Sequence, residues 1–182
     1  MMRAVGGLGH ITIYKSCWPR SLPLNVPVTM TRMDPKTLAY YTEHATEIAR
    51  RYESVVSPVE RYFAMAFTSG ARVLDVGCGS GRDAARLLDS GYDAYGIEPV
   101  EALRHAATAA HPELAGRIGR GGLPNTGDAF GGEFDGILCS AVLMHVPDTD
   151  LLDAGLAIRR LLKPGGRLLL SIPASRGDLL SG

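Results

Sequence analysis

The spacing of apolar residues at the start of the ordered sequence predicts helices. Apolar residues recur every three or four positions from Leu38 to Tyr52, and Asp34-Pro35 before them is a typical helix start. Ser57, followed by Pro58 and Glu60, has the spacing of a capping box, so a second helix is predicted to end at Ser69-Gly70. Two helices therefore precede the first strand.

After residue 70 the pattern alternates between β-prone and helical segments. The predicted strands are 72–76, 93–97, 117–119, 134–139 and 167–172, and the predicted helices between them are 82–90, 101–110 and 149–162. Several strands are almost entirely apolar, which is typical of a parallel sheet covered on both faces. We predict an α/β fold with a doubly wound, mostly parallel Rossmann-like sheet of about five strands. Ligands of such sheets bind beyond the carboxyl ends of the strands.

Length and charge narrow the class of protein. The chain has 182 residues, enough for one domain with a core, and its 19 basic residues balance 19 acidic ones. This balance argues against nucleic acid or an anionic membrane as the partner. The three cysteines, Cys17, Cys78 and Cys139, lack metal-ligand spacing, so no metal site is predicted. No apolar run reaches the length of a membrane helix or a signal core, and we expect a cytoplasmic protein.

The first 32 residues show no useful periodicity and contain Pro19, Pro23 and Pro27. We predict that residues 1–32 form an irregular N-terminal extension. The ordered domain is then expected to span residues 33–182.

A glycine-rich loop follows the first predicted strand, within VLDVGCGSGRD at residues 73–83. Gly77, Gly79 and Gly81 allow the backbone to approach a ligand closely. Their spacing is GxGxG and differs from the GxGxxG of dinucleotide sites, and no phosphate-binding P-loop is present. Glu98 ends the second strand, where a carboxylate can accept both hydroxyl protons of a ribose. These features favour an adenosine-like ligand.

Four segments in order, VLDVGCGSG, YGIEP, FDGILCSAVLMHV and LLKPGGRLLLSIP, resemble the successive motifs of class I S-adenosylmethionine-dependent methyltransferases of the small-molecule kind. The resemblance covers about residues 37–173. It implies S-adenosylmethionine as cofactor and S-adenosylhomocysteine as product. It also implies an N-terminal helical lid and a small-molecule acceptor with an oxygen, nitrogen or carbon nucleophile.

The resemblance also implies which residues form the site. Asp75 is expected beneath the glycine loop, Glu98 at the ribose, and Ser140 at the start of the segment that borders the methyl group and the acceptor. The residues implied for cofactor binding are Asp75, Gly77, Cys78, Gly79, Glu98, Pro99, Leu123 and Ser140. His145 is the candidate base, although a packing or turn-capping role is the alternative. Tyr40, Tyr41 and His44 match the lid, and Tyr41 also belongs to the apolar stripe of its helix.

The sequence departs from the family pattern at two places. The family usually has a carboxylate for the adenine amine just before a Leu-Pro, whereas residues 120–124 here are Arg-Gly-Gly-Leu-Pro. Backbone at Gly122 or Leu123 remains available, so we predict weakened cofactor affinity. The family sheet usually has seven strands, and this chain ends soon after the fifth. The edge of the fifth strand would then be exposed, unless residues 1–32 or a second chain in a homodimer cover it. A truncated gene product is the third explanation.

Two other functions remain open at this point. A truncated methyltransferase-like domain that binds cofactor weakly or not at all would act as an interaction module. A nicotinamide-dependent oxidoreductase is disfavoured by the GxGxG spacing and by Asp75. DNA base methylation is also disfavoured, because residues 139–142 read Cys-Ser-Ala-Val where such enzymes carry a [DNS]PP[YFW] run.

Overall fold

The computed structural model describes residues 35–172 in full and residues 2–6 and 9–15 as strand backbone. Seven strands form one sheet in the order β1-β2-β7-β6-β3-β4-β5. The strands are β1 (Met2–Gly6), β2 (Gly9–Lys15), β3 (Arg72–Val76), β4 (Asp93–Ile97), β5 (Ile118–Gly119), β6 (Phe134–Ser140) and β7 (Leu162–Ile172). The helices are α1 (Pro35–Glu43), α2 (Ala45–Glu53), α3 (Phe63–Ala66), α4 (Arg82–Asp89), α5 (Glu101–Ala110) and α6 (Leu151–Leu161).

Strands β3 to β7 form the parallel part of the sheet, which confirms the predicted α/β fold. β3 lies between β4 and β6, with Asp75 beside Gly96 on one side and beside Leu138 on the other. The strand order therefore reverses at β3, which has β4 on one side and β6 on the other. A crevice at this position is where ligands of doubly wound sheets bind.

Both faces of the parallel sheet are buried, as the apolar strands predict. Leu74 and Val76 of β3 pack into one cluster with Ile158 and Leu161 of α6. Val73, which precedes Leu74, points to the opposite face, into a second cluster that contains aromatic residues of the segment 62–67. The two clusters hold the carboxyl end of β3 between them.

The segment 1–32 is not irregular throughout, and the prediction is wrong for residues 2–6 and 9–15. β2 pairs antiparallel with β7, from Lys15 opposite Arg167 to His10 opposite Ile172, and β1 pairs antiparallel with β2. The β-branched run 11–13 suits a strand, but its partner lies more than 150 residues away in sequence, where no local period reveals it. The rest of 1–32 lies outside the described residues, and the domain boundary at residue 33 stays a prediction.

The N-terminal helices differ in detail from the prediction. The helix predicted from residue 34 to 52 is divided at His44 into α1 and α2. The second predicted helix shortens to a single 3₁₀ turn and α3, because Phe63 and Phe67 turn into the core beneath β3. Helices α4 and α5 agree with the prediction, and α6 begins two residues later than expected. In the described part of the chain, each helix is too short or too polar to cross a membrane.

Candidate functional site

The glycine loop after β3 has a backbone that other residues do not readily adopt. Gly77, Gly79 and Gly81 have φ values of +71°, +54° and +82°. The N–H groups of Gly77 and Cys78 both donate to the carbonyl oxygen of Ile97, at 2.8 and 3.1 Å. These bonds tie the loop to the end of β4. The loop is therefore fixed by its own backbone at the carboxyl edge of the sheet.

Glu98 joins the end of β4 to the glycine loop. Its carboxylate is 5% exposed and accepts hydrogen bonds from the N–H of Gly79 at 3.0 Å and of Val100 at 2.9 Å. Burial raises the pKa of Glu98, and these two backbone hydrogen bonds oppose the rise. Each carboxylate oxygen has a second lone pair, so both can still accept a ligand hydroxyl.

Asp75 is buried in β3 beneath the loop. Burial, with the neighbouring carboxylate of Asp83, raises the pKa of Asp75 well above its usual range, while the guanidinium of Arg82 acts in the opposite direction. Arg82 itself forms an ion pair with Asp83 at 3.1 Å. Two carboxylates, Asp75 and Asp83, thus lie near one guanidinium, and a positively charged ligand group near Asp75 would balance the second carboxylate.

The end of α2 closes the cavity from above the glycine loop. Nη1 of Arg82 donates to the carbonyl oxygens of Tyr52 at 2.7 Å and of Val55 at 3.2 Å. Oγ of Ser80 donates to Glu53 at 2.6 Å, and a Cβ at Gly79 would lie 3.3 Å from the ring of Tyr52. Hydrogen bonds from Ser80 and Arg82 thus hold the glycine loop and the start of α4 against the end of α2.

The turn after β6 brings a second wall against the glycine loop. Ala141 has a φ of +54°, a left-handed conformation that is unfavourable for a residue with a Cβ. Its N–H donates to the carbonyl oxygen of Ser171 at 3.1 Å, and the hydroxyls of Ser140 and Ser171 lie 2.9 Å apart. The turn places Val142 so close to Gly77 that a Cβ there would lie 2.6 Å from Cγ2 of the valine.

His145 faces the N-terminal helix α1. Its Nε2 lies 3.3 Å from the hydroxyl of Tyr41, and the two rings meet edge to face with centroids 5.6 Å apart. Burial lowers the pKa of His145 and, with nearby Tyr52, raises the pKa of the Tyr41 phenol. At neutral pH the imidazole is therefore uncharged and can accept a proton, and the phenol keeps its own.

All nine residues predicted for the site line one cavity of about 300 Å³. They are Asp75, Gly77, Cys78, Gly79, Glu98, Pro99, Leu123, Ser140 and His145. Cys78 is buried like Cys139, and burial raises the pKa of both thiols, so they stay protonated. Both are free, small buried residues, while Cys17 lies outside the described residues.

Several lining residues were not predicted from the sequence. They are Tyr52, Val55, Pro58, Arg82, Asp83, Val100, Leu103 and Val146. Those of α2 and the segment after it come from a region with no motif, so their sequence carried no signal. Arg82 and Asp83, by contrast, directly follow Gly81, the last glycine of the loop, and this position was a signal that could have identified them.

The departure at the adenine position persists in the structure. The carboxylates among the described lining residues are Asp75, Asp83 and Glu98, and none comes from the segment 120–124. That segment contributes Gly122 and Leu123, and the N–H of Gly122 donates to the carbonyl oxygen of Asn125 at 2.9 Å. At this end of the cavity an adenine ring would therefore meet apolar side chains and backbone groups and no carboxylate of the segment 120–124.

Comparison with known proteins identifies relatives of most of the chain. The profile of a family described as a methyltransferase domain matches residues 44–181. The chain is 35% identical over 127 residues to the ubiquinone biosynthesis O-methyltransferase of Methylococcus capsulatus, covering 64% of this chain and 50% of that protein. It is 34% identical over 171 residues to protein-L-isoaspartate O-methyltransferase 2 of Syntrophobacter fumaroxidans, covering 78% and 63%. The chain thus spans between half and two thirds of these relatives.

Solved structures agree with the fold. A TehB-like SAM-dependent methyltransferase from Corynebacterium glutamicum superposes with a TM-score of 0.62 at 25% identity, covering 81% of this chain and 80% of the other. The magnesium protoporphyrin IX methyltransferase of Synechocystis PCC 6803 with bound SAH gives a TM-score of 0.64 at 19% identity, covering 80% and 74%. The second likeness shows a shared fold only.

Proposed function

Because the chain belongs to the class I S-adenosylmethionine-dependent methyltransferases, we propose that it transfers the methyl group of S-adenosylmethionine to a small-molecule acceptor and releases S-adenosylhomocysteine. One observation carries this proposal: the glycine loop, Glu98 and His145 line a single cavity at the carboxyl ends of β3, β4 and β6. The residues proposed to bind the cofactor and the proposed base, His145, therefore line the same cavity.

The residues present suit the cofactor. Glu98 would hold the ribose hydroxyls through its remaining lone pairs, and Pro99 and Leu123 would contact the adenine. The glycine loop would run along the methionine part, since Gly77 and Gly79 leave no side chain in the way. The cofactor supplies an electrophilic methyl group on a sulfonium. The protein then has to align the acceptor with that methyl group and exclude water.

The acceptor is proposed to be a small uncharged compound that reacts through a hydroxyl. Ala141, Val142 and Val146 make the wall near His145 apolar. Arg82, the one cation among the described lining residues, is paired with Asp83, which leaves little to bind an anionic acceptor. The two relatives compared above are named as O-methyltransferases, which supports an oxygen nucleophile.

His145 is proposed as the base for this acceptor. In the transfer, the bond from the acceptor oxygen to the methyl carbon forms while the bond from sulfur to that carbon breaks. The hydroxyl proton moves to the uncharged imidazole at Nε2, where the hydroxyl of Tyr41 lies at 3.3 Å. The acceptor hydroxyl must therefore replace that of Tyr41 at Nε2.

The partners proposed are small molecules. The chain carries no net charge, which supports the absence of a nucleic-acid partner. Pairing of β2 with β7 occupies the edge on which a homodimer was expected to form, so the proposal includes no second chain. A cytoplasmic location remains part of the proposal.

Calorimetric titration of S-adenosylmethionine and S-adenosylhomocysteine into the protein tests the site. Glu98→Gln removes the charge but keeps an oxygen for a backbone N–H, so the variant is expected to fold and to bind at least about tenfold more weakly. Glu101→Gln is the matched control, because Glu101 is an exposed carboxylate of α5 whose ionic contact within the described residues is with His105, at 4.0 Å. Its affinity should equal that of the wild type.

The missing adenine carboxylate sets the expected strength of binding. We expect dissociation constants weaker than the low micromolar range, and a tighter value would contradict the proposed effect of residues 120–124. A folded chain that binds neither ligand would instead favour the interaction module. Where binding is found, formation of S-adenosylhomocysteine with phenols, amines and carboxylic acids as acceptors tests the preference for a hydroxyl. Turnover of amines alone would overturn it.

A further inference from the structure

A histidine lies between two carboxylates at the point where α2 meets the end of α5. Glu53 is the last residue of α2, and His111 is the C-cap of α5. Nε2 of His111 lies 3.2 Å from Oε1 of Glu53, and Nδ1 lies 3.4 Å from Oε1 of Glu113. None of the three is among the described residues that line the cavity, so the proposed transfer does not use them.

We propose that His111 and Glu53 form a pH-sensitive positioning pair, which holds the end of α2 over the cavity when the imidazole is protonated. The pair acts through the residues next to Glu53, and neither of its members touches the cofactor. Its expected effect on cofactor binding rests on the proposed function, whereas its expected effect on α2 does not.

Glu53 connects the pair to the wall of the cavity. Oε1 of Glu53 also accepts a hydrogen bond from Oγ of Ser80, at 2.6 Å, and Ser80 in the glycine loop is 1% exposed. Tyr52, which precedes Glu53, lines the cavity, and a Cβ at Gly79 would lie 3.3 Å from its ring. One carboxylate oxygen therefore joins α2 to α5 and to the glycine loop. Movement of Glu53 would reach the cavity through Tyr52.

The surroundings of His111 favour a positive charge on its ring. Nε2 is buried and has no aligned hydrogen bond within the described residues, so its attraction to Glu53 depends on the charge of the imidazole. A neutral imidazole has one N–H, whereas an imidazolium offers one N–H toward each carboxylate. The C-terminal ends of α2 and α5 add partial negative charge at the same place. A cation there also offsets the unfavourable position of Glu53 at the end of α2.

Each element packed around His111 contributes groups with known partners. The titratable group facing the ring from α2 is Glu53, and the one from the 3₁₀ turn Pro112–Leu114 is Glu113. The glycine loop contributes the uncharged hydroxyl of Ser80. Helix α4, which packs against the same turn, contributes Arg82 and Arg86, and these form ion pairs with Asp83 and Glu60. The charge of His111 is therefore set against that of two carboxylates.

These contacts fix the direction of the pH dependence. Histidine is the side chain whose charge changes between about pH 5 and pH 8. Because the held position of α2 favours the protonated ring, it binds the proton more tightly than the released position does. The contribution of the pair is therefore present at the acidic end of this range and is lost as the pH rises. Cofactor affinity is expected to fall in the same direction.

Calorimetric titration of S-adenosylhomocysteine at pH 6 and pH 8 measures the effect of the pair. His111→Gln removes the titrating ring, and Glu53→Gln removes the charge but keeps an oxygen for Ser80. The ratio of the dissociation constant at pH 8 to that at pH 6 should be at least about threefold larger in the wild type than in either variant. The double variant should have the same ratio as each single one, because either change already removes the pair. Comparing ratios cancels the titration of groups that the proteins share.

His105→Gln is the matched control for these titrations. His105 lies on the same helix as the cap residue His111, its side chain is 78% exposed, and it lies 4.0 Å from Glu101. Its variant should keep the wild-type ratio. A ratio for His111→Gln as large as that of the wild type would overturn the proposal, and so would a variant that weakens binding by the same factor at both pH values, as a merely structural role requires.

Amide hydrogen exchange in α2 without ligand tests the pair independently of the proposed function. After correction for the intrinsic effect of pH on exchange, protection of residues 45–53 should fall from pH 6 to pH 8 in the wild type and in His105→Gln, but not in His111→Gln or Glu53→Gln. Equal protection of the wild type at both pH values would overturn the proposal without any variant. If the wild type shows this fall but does not bind S-adenosylhomocysteine, the positioning pair stands and the proposed function fails.

Discussion

The two ends of the cavity are built in different ways. At the cofactor end, the backbone of the glycine loop bonds to Ile97, and the buried Glu98 is held by two backbone N–H groups. At the end proposed for the acceptor, beside His145, the cover comes from α1, which has no buried residue and reaches His145 through the hydroxyl of Tyr41. The hydrogen bonds of the glycine loop use backbone groups, which every residue has. The contact between Tyr41 and His145, by contrast, requires those two side chains.

This difference predicts where substitutions should have the largest effects. The end proposed for the cofactor is held by β3, by β4 and by the left-handed backbone of the glycine loop. The acceptor end relies on a helix with few buried contacts, which is where local opening is expected to be easiest. Substitutions should therefore have large effects at the cofactor end and small effects at α1.

The largest effect is expected from Gly77→Ala. The φ of +71° disfavours a Cβ, and that Cβ would lie 2.6 Å from Val142. We expect the free energy of unfolding to fall by about 2–3 kcal/mol, from backbone strain and displacement of the valine. Chemical denaturation measures this loss. Affinity for S-adenosylhomocysteine should fall as well, since the loop must move.

Gly155→Ala is the matched control for this change. Gly155 lies within α6, and a Cβ there would have no atom within 4 Å. The same substitution should therefore raise the free energy of unfolding by about 0.5–1 kcal/mol, through helix propensity. Equal behaviour of the two variants would show that the glycine loop is not the constrained element described above.

Asp75→Asn is expected to raise the stability of the fold and to lower its affinity for the cofactor. Burial and Asp83 raise the pKa of Asp75, so the folded chain binds the proton more tightly than the unfolded chain. Stability of the wild type then falls as the pH rises from the acidic range toward neutrality, and the asparagine removes this loss. We expect a melting temperature higher by about 2–4 °C at pH 8, corresponding to about 1 kcal/mol, with a smaller gain at pH 5. Cofactor affinity should fall.

Asp135→Asn is expected to change the melting temperature in the opposite direction. Burial tends to raise the pKa of Asp135, but hydrogen bonds from Lys163 and from the N–H of Arg72 outweigh it and leave the pKa below its usual value. Its ionised form thus favours the folded state, and Asp135→Asn should lower the melting temperature at pH 8. If both variants shift the melting temperature in the same direction, the proposed cause of the Asp75 effect is wrong.

Sequence alone predicted the cofactor end because its signals are local. Strand β3, the glycine loop and α4 follow one another without interruption, and Glu98 is placed by the end of the next strand. The sequence did not predict the bond between Arg82 and Tyr52, which are 30 residues apart. It offered coverage of the fifth predicted strand by residues 1–32 only as one of three alternatives, and it did not predict the strand β2 that pairs there with β7. Such contacts depend on how helices and strands pack against each other. The spacing of apolar residues within one helix or strand contains no information about that packing.

His145 should make stability depend on pH in the opposite sense to Asp75. Burial lowers its pKa from the usual 6.5, so the unfolded chain binds the proton more readily. The stability contributed by the neutral ring is complete above about pH 6.5 and is lost as the pH falls below it. Melting temperatures of the wild type and of His145→Gln, measured from pH 8 to pH 5.5, should therefore converge or cross on acidification. Parallel curves would show that the ring titrates freely.

The smallest effect is expected from Tyr41→Phe. The variant loses the hydroxyl that lies 3.3 Å from Nε2 of His145 and keeps the ring that packs against the imidazole. We expect a loss of about 0.5–1 kcal/mol in the free energy of unfolding, as for a single partly exposed hydrogen bond, and no change in affinity for S-adenosylhomocysteine. Tyr40→Phe is the control, since Tyr40 is 56% exposed, and it should change neither quantity. A loss for Tyr41→Phe as large as that for Gly77→Ala would mean that α1 is as firmly held as the glycine loop, and the contrast between the two ends would not stand.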